Sequence, residues 1–331
     1  MNIYFIINCS RNHKNIVNSG SGASEFLFYI TAYKLSKYCN VTIYNRENHH
    51  PQVIDNINYL YLDNDRNFIN NINNSIVIVQ RDFDFIYNLH KKNHNNRYIL
   101  WSHDHIQNNK SHLFNSHTPD NINKYFSMNN IDIVVVSDFH KDNISKCFPD
   151  LKIYRIYNAV FPEYIVRNPN ISYDKNQIVF ASNWGKGIEK ILKIGLDYSK
   201  INTDFKLILL KPNYCNWEPD LSIYPFVKMI GTIKNKIEYC ELLQKSLCVL
   251  TTSYPETFGC VFAEALHLGV PVIGDNSVKA GFQEIIKPEY LCNFNDHKKV
   301  INIIDTIREN IVKLDDKFYE DSVIKEWIKL F

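Results

Sequence analysis

The chain is short of nearly every feature that assigns a protein at sight. No uninterrupted apolar run approaches the roughly 18 residues a membrane span requires, so no transmembrane segment is expected. The opening MNIYFIINCS has only a short apolar run, with no basic stretch and no small-residue cleavage site. It reads as a β-strand rather than a signal peptide. Charge is nearly balanced, 37 basic against 35 acidic side chains, which removes the electrostatic case for nucleic acid as the main partner. The eight cysteines (Cys9, Cys39, Cys147, Cys215, Cys240, Cys248, Cys260 and Cys292) form no C-x-x-C pair and have no histidine at metal spacing. They are expected to be reduced, mostly buried thiols in a cytoplasmic protein. No solenoid period recurs.

What is there is ample material for packed interiors: 45% hydrophobic and 14% aromatic residues over 331 positions, a length that suits two domains. Asparagine crowds the first 130 residues, but strand-like runs continue between the clusters, so disorder is not expected. Short β-branched and aromatic runs alternate with helical patterns, as in parallel α/β architecture. Strands are expected at Ile3–Ile7, Val41–Tyr44, Tyr59–Leu62, Ile76–Val79, Tyr98–Trp101, Ile133–Val136 and Ile153–Tyr157. The strongest helix, ASEFLFYITAYKLSKY, places Phe26, Ile30 and Leu35 on its buried side. A second alternating set runs QIVFAS, KLILL, FVKMIG, LCVLTT and PVIG. Between the sets, FPEYIVRNPNISYDKN has two prolines and no period, and reads as a linker. The expected division is residues 1–160, a linker at 161–176, a second domain at 177–305, and a terminal helical segment at 306–331 expected to cross back to the first domain. Two such open sheets are expected to face each other across a cleft at their strand ends.

The stretch YPETFGCVFAEALHLGVPVIGD, from Tyr254 to Asp275, carries the chemistry. Its helix is expected to start near Phe258 with Thr257 as N-cap, and to stop at Gly269 ahead of Pro271. Phe258, Phe262, Ala265 and Leu266 share a buried face, and Glu264 falls on another face with Cys260 and His267. Glu256 precedes the first turn, whose N–H groups carry partial positive charge. Two acceptor side chains beside a ring of donors is the mixture that sugars and riboses need. The plainer reading is a helix-start glutamate favoured by the dipole and an exposed mid-helix glutamate.

Those residues closely resemble the donor-site motif of the retaining GT-B glycosyltransferases of glycosyltransferase family 4, P-x-x-E-x-F-G-x-x-x-x-E-A-x-A-x-G-x-P-V-I. Glu256, Phe258, Gly259, Glu264, Ala265, Gly269, Pro271 and Val272 match in register, while Pro255 stands next to Glu256 rather than farther upstream. The resemblance implies two Rossmann-like domains and gives Glu256 the hydroxyls of the transferred sugar and Glu264 the nucleotide ribose. It implies that the amides of Thr257, Phe258 and Gly259 reach sugar and phosphates. VFASNWGKGIEKIL resembles the first strand, loop and helix of the nucleotide domain, so Lys186 is expected to neutralise the diphosphate. Many members also carry an arginine earlier in that loop, where Ser182 stands here. FVKMIGTIKNKIEYCELLQKS resembles the element whose turn meets the base, with Gly231 and Thr232 as candidates. In the first half, SGSGASEFLF resembles a Gly-Gly-x-E loop through Gly20 and Gly22, and WSHDHI a strand-end histidine that touches the donor sugar. That assigns His103, with Asp104 and His105 beside it. IDIVVVSDFHKDNI and IYNAV resemble the strand and turn before the linker, with Ala159 in place of glycine.

The implied reaction moves a sugar from a UDP- or GDP-sugar to a glycan, lipid or protein hydroxyl with retention of anomeric configuration. Neither cofactor nor metal is implied, and the one Asp-x-Asp, Asp82–Asp84, reads as an ordinary helix start. Peripheral membrane contact stays open. Three rivals remain: an inverting GT-B enzyme with His13 as base, a non-catalytic nucleotide-sugar binder, and a nicotinamide-dependent oxidoreductase. The last is disfavoured because GSGASE puts Glu25 at the third glycine position and lies far from the strand end.

Overall fold

The first α-helix of the chain is buried almost all round. In the computed structural model, which describes every residue except 10, 19–21, 47–49, 64–65, 107–116, 212–219 and 308–311, β1 (Asn2–Ile6) is followed by α1 (Ala23–Leu35). The single buried side expected for α1 is not what forms. Phe26 through Ala32 and Leu35 are all buried, and a helix apolar on every side belongs inside. The chain continues through β2 (Asn40–Asn45), β3 (Gln52–Ile54), β4 (Ile57–Tyr61), β5 (Ile76–Gln80), α2 (Phe83–Lys92), β6 (Arg97–Trp101), α3 (Pro119–Met128), β7 (Asp132–Val135), α4 (Asp138–Cys147) and β8 (Ile153–Arg155). Asp82, Thr118 and Ser137 cap α2, α3 and α4, each accepting an N–H from the first turn. Asp82 thus does what a helix-start aspartate does.

These strands form a sheet of order β3-β4-β2-β1-β5-β6-β7-β8, parallel except where β3 pairs antiparallel with β4. Because helices cover both faces, strands such as β5 and β7 are buried at every position and read as continuous apolar runs. The β3–β4 hairpin was not expected. Its two-residue turn is Asp55–Asn56, both at positive φ, and Val53 stands exposed on the edge strand.

A second sheet follows: β9 (Asp174–Phe180), α5 (Ile188–Ser199), β10 (Lys206–Leu210), β11 (Val227–Ile230), α6 (Lys236–Gln244), β12 (Ser246–Thr251), α7 (Cys260–His267), β13 (Val272–Asp275), β14 (Leu291–Cys292) and α8 (His297–Thr306). Its order is β11-β10-β9-β12-β13-β14, and every pairing is parallel. The last helix, α9 (Glu320–Leu330), adds Trp327 to the first core, where its ring meets Trp101 at 4.8 Å. Contacts divide the chain into two units, one of Met1–Val17, Ser21–Asn158 and Asp321–Phe331, the other mainly Ala159–Glu320. Both are three-layer α/β folds.

The strand order of each sheet reverses direction once, between β1 and β5 in the first and between β9 and β12 in the second. At such a point the loops leaving two neighbouring strands diverge to opposite faces and open a crevice at the carboxyl ends, where folds of this kind bind ligands. Seven cysteines lie among the described residues and all are free; Cys215 lies outside them. Only Cys240, Cys248 and Cys292 are buried, fewer than expected. Among the described residues no helix is long and apolar enough to cross a membrane.

Candidate functional site

The second unit gathers its polar side chains at its switch point. The loop after β9 supplies Ser182 and Lys186, and the loop after β12 supplies Ser253 and Glu256. Trp184, wholly buried, anchors the first loop by donating its indole N–H to Leu210 O at 3.0 Å. The Thr252 hydroxyl ties the loops together, lying 3.1 Å from Lys186 O and 2.8 Å from Gly187 O. Ser182 and Ser253 share a hydroxyl–hydroxyl bond of 2.5 Å. With the loops so fixed, Lys186 Nζ sits 2.9 Å from Glu256 Oε2, and Glu256 Oε1 takes the Phe258 N–H at 3.4 Å.

The helix after that loop starts later than expected. Gly259, not Thr257, is the N-cap of α7, and its φ of 100° lies in the left-handed region that a side chain disfavours. Gly281 explains where Thr257 went. The Gly281 N–H donates to Glu256 O at 2.8 Å, and a Cβ on Gly281 would sit 2.1 Å from Thr257 O, so only glycine admits this close approach. Gly187 likewise precedes α5. Neither cap spends a side chain on the first-turn amides, and two helix starts therefore direct partial positive charge toward the switch point. Cys260 opens α7, and its far end is as expected. Gly269 N donates to Leu266 O and Val270 N to Ala265 O, the paired bonds of a Schellman stop.

Glu264 lies mid-helix and is buried, contrary to the plainer reading of an exposed glutamate. Lys236 Nζ donates to its Oε1 at 2.9 Å and the Tyr239 hydroxyl to its Oε2 at 2.7 Å. His267 is fixed by its partners. Its Nε2 donates to Ile165 O at 3.0 Å, which leaves Nδ1 to accept from Tyr319. Thr232 is exposed and its hydroxyl donates to Lys211 O at 2.9 Å; Gly231 beside it is also exposed. Lys190, one turn into α5, meets the wholly buried Asp275 at 2.7 Å. Burial pushes Asp275 up, but bonds from Lys190 and Ser277 and from the Phe294 N–H outweigh it and hold the carboxyl below its ordinary value. None of Lys190, Lys236, Tyr239, Ser253 and Gly281 was singled out from sequence.

The first unit has its own polar cluster. Arg81 directly follows β5 at a left-handed φ of 68° and grips Asp104 with two bonds, 2.7 and 2.8 Å. Its third nitrogen reaches Glu25 at 3.3 Å. Gly22 caps α1, where the atoms nearest to an added Cβ are those of the Glu25 carboxylate. Gly20 lies outside the described residues. His103 is buried beside Trp101, its pKa lowered to about 3 by burial and then by Arg81, so it is neutral near pH 7. His140, wholly buried and lowered to about 4 by burial, has its Nε2 3.0 Å from Asp104 O. His105 stacks on Phe139. His13 is buried, its Nε2 donating to Asp55 at 3.0 Å and its Nδ1 accepting from the Tyr59 hydroxyl at 2.6 Å. Among the described residues no three His, Cys, Asp or Glu side chains are placed to hold a metal ion.

Comparison with known proteins bears on what these clusters serve. Residues 218–322 match the family described as Glycosyl transferases group 1. Sucrose-phosphate synthase from Thermosynechococcus elongatus aligns over 100% of this chain and 98% of its own, with a TM-score of 0.70 and 14% identity. HepE from Anabaena, solved in complex with UDP and glucose, aligns over 100% and 99% with a TM-score of 0.67 and 13% identity. The lipopolysaccharide outer core galactosyltransferase WaaB, in its apo form, covers 99% and 98% with a TM-score of 0.63 and 16% identity. At these identities the likeness is one of fold. No curated protein sequence matches the chain. Residues 218–322 thus match the group 1 glycosyltransferase family, and the chain as a whole shares the GT-B fold of these glycosyltransferases.

Proposed function

We propose that the protein transfers a sugar from a nucleoside-diphosphate sugar, a UDP- or GDP-sugar, to a hydroxyl of a glycan, lipid or protein acceptor. The transfer retains anomeric configuration and uses no metal. The observation that carries this reading is the meeting of Lys186 and Glu256, from two different loops, at the switch point of the second sheet. Lys186 and the first-turn amides of α5 and α7 supply fixed positive charge for the departing diphosphate, the electrostatic preorganisation that often dominates catalysis. Glu256 accepts from the sugar's hydroxyls, with the amides of Thr257, Phe258 and Gly259 beside it, and Glu264 accepts from the ribose. Ser182 and Thr232 line the diphosphate and base ends. The anomeric C–O bond to phosphate breaks, the acceptor oxygen bonds to the same face, and its proton passes to the leaving phosphate oxygen. Neutral His103 is assigned to the donor sugar, and Asp104 with the Gly22 turn to the acceptor side.

His13 is poorly placed for the inverting alternative. Both its ring nitrogens are engaged, by Asp55 and Tyr59, and its side chain is 4% exposed. An acceptor hydroxyl would have to displace one of those bonds before imidazole took its proton. A panel of UDP-, GDP- and ADP-sugars in a thermal-shift assay tests the donor class. A true donor at 100 times its Kd raises stability by about 2.7 kcal/mol. No shift from any of them, with no transfer of radiolabelled sugar, refutes the proposal.

A further inference from the structure

The carboxylate of Glu264 is not merely buried; it is held at both oxygens. Lys236 Nζ binds Oε1 at 2.9 Å and Tyr239 OH binds Oε2 at 2.7 Å. The two donors sit three residues apart on α6 and so share a face, and Lys236 Nζ also lies 4.8 Å over the Tyr239 ring. The assembly is one cation, one hydroxyl and one aromatic plate converging on a single acidic group from a neighbouring helix. Burial, together with the Glu264 charge, pushes the Tyr239 hydroxyl well above its ordinary pKa, so it remains a donor across the working pH range. An ionised carboxylate offers about four acceptor directions, two on each oxygen. Lys236 and Tyr239 take one on each, which leaves each oxygen able to accept one more hydrogen bond. Two adjacent hydroxyls on a ring are the complement of that pair.

We infer that Lys236 and Tyr239 are positioning residues that hold the Glu264 carboxylate in the orientation from which it receives the vicinal 2′- and 3′-hydroxyls of the donor's ribose. This rests on the reading of Glu264 as the ribose acceptor. Without the two donors the side chain has three torsions to order on binding, and part of the affinity gained from the diol is lost to that ordering. A residue that only packs α6 against α7 would affect nucleotides with and without the 2′-hydroxyl alike. A positioning residue affects the difference between them.

Calorimetry on the full chain with UDP and GDP, each beside its 2′-deoxy analogue, separates these roles. The wild type should prefer the ribose form of the nucleotide it binds by about tenfold or more, as for one hydrogen bond to a charged group. Tyr239→Phe keeps the ring and removes the hydroxyl; it should cut that preference to about threefold or less while the deoxy affinity moves less than about twofold. Lys236→Met should act in the same direction, and Lys236→Arg, which keeps a charged donor, should retain most of the preference. Equal losses for ribose and deoxyribose, or an undiminished preference in both Tyr239→Phe and Lys236→Met, overturn the positioning role. A wild type that binds a nucleotide with no ribose preference overturns the reading of Glu264 itself, and one that binds neither nucleotide overturns the donor assignment.

Discussion

Removing the charge of Glu256 should make the protein bind a nucleoside diphosphate more tightly, although Glu256 is assigned to the reacting sugar. Lys186 is already paired, its Nζ 2.9 Å from Glu256 Oε2. A diphosphate that needs Lys186 must share it with that carboxylate or draw it away, and in either case works against a like charge. At this separation and an effective dielectric of 20, the gross attraction between the pair is about 6 kcal/mol. Solvation cancels most of it. The side chains are 31% and 17% exposed, and pairs with that much access to water are worth about 1 kcal/mol net. Glu256→Gln keeps the shape and an oxygen for the Phe258 N–H while freeing the cation, so the Kd for UDP or GDP should fall about fivefold. The gain should shrink between 50 mM and 500 mM salt as the charges are screened. Turnover should move the other way, down about tenfold or more, because the sugar's hydroxyls lose a charged acceptor. Calorimetry with the nucleotide alone and steady-state transfer with the nucleotide sugar read the two effects separately. Weaker nucleotide binding in Glu256→Gln would refute the competition for Lys186.

Two further expectations concern Lys186 and the buried histidines of the first unit. Lys186→Ala should lower kcat by at least about tenfold at saturating donor with the melting temperature nearly unchanged, since its charge matters most as the diphosphate leaves; a kcat within twofold of wild type contradicts the leaving-group role. The buried histidines make the fold acid-labile. His103 and His140 have folded values lowered to about 3 and about 4 against about 6.5 in the unfolded chain, so the unfolded state takes up protons first and stability is lost as pH falls below 6.5. Each should cost about 2 kcal/mol between pH 7 and pH 5, visible as a falling melting temperature by circular dichroism, and a flat profile over that range contradicts their neutral, buried state.

How much of this was legible beforehand depends on whether the signal was local. The apolar runs that became β5, β7 and β12 read directly, because a strand buried on both faces is a bare apolar run. The Gly269–Pro271 helix stop read directly too, since its chemistry lies within three residues. The start of α7 did not. Thr257 is a good N-cap by type, but its carbonyl lies against Gly281, more than twenty positions on, and Gly259 takes the cap instead. The β3–β4 hairpin escaped because its edge strand, Gln52–Ile54, is only three residues long and largely exposed, too short a run to mark it, although its partner strand was expected. In the site, Glu256, Glu264 and Lys186 were singled out by a motif, whereas their partners Lys236, Tyr239 and Gly281 come from other elements. Arg81 had one local clue, a charged side chain directly after the apolar run IVIVQ at the end of a strand beside the switch point. That clue has meaning only once the strand order is known.

The stereochemistry of transfer tests the central claim most directly. Proton NMR on freshly formed product, made from an α-linked nucleotide sugar, reads the anomeric coupling before any mutarotation or hydrolysis intervenes. The account predicts an α-linked product from wild type, and the same product from His13→Ala at most of the wild-type rate, because the leaving phosphate takes the proton. A β-linked product, with a loss of about 10²–10⁴-fold in His13→Ala, would contradict it and make His13 the base.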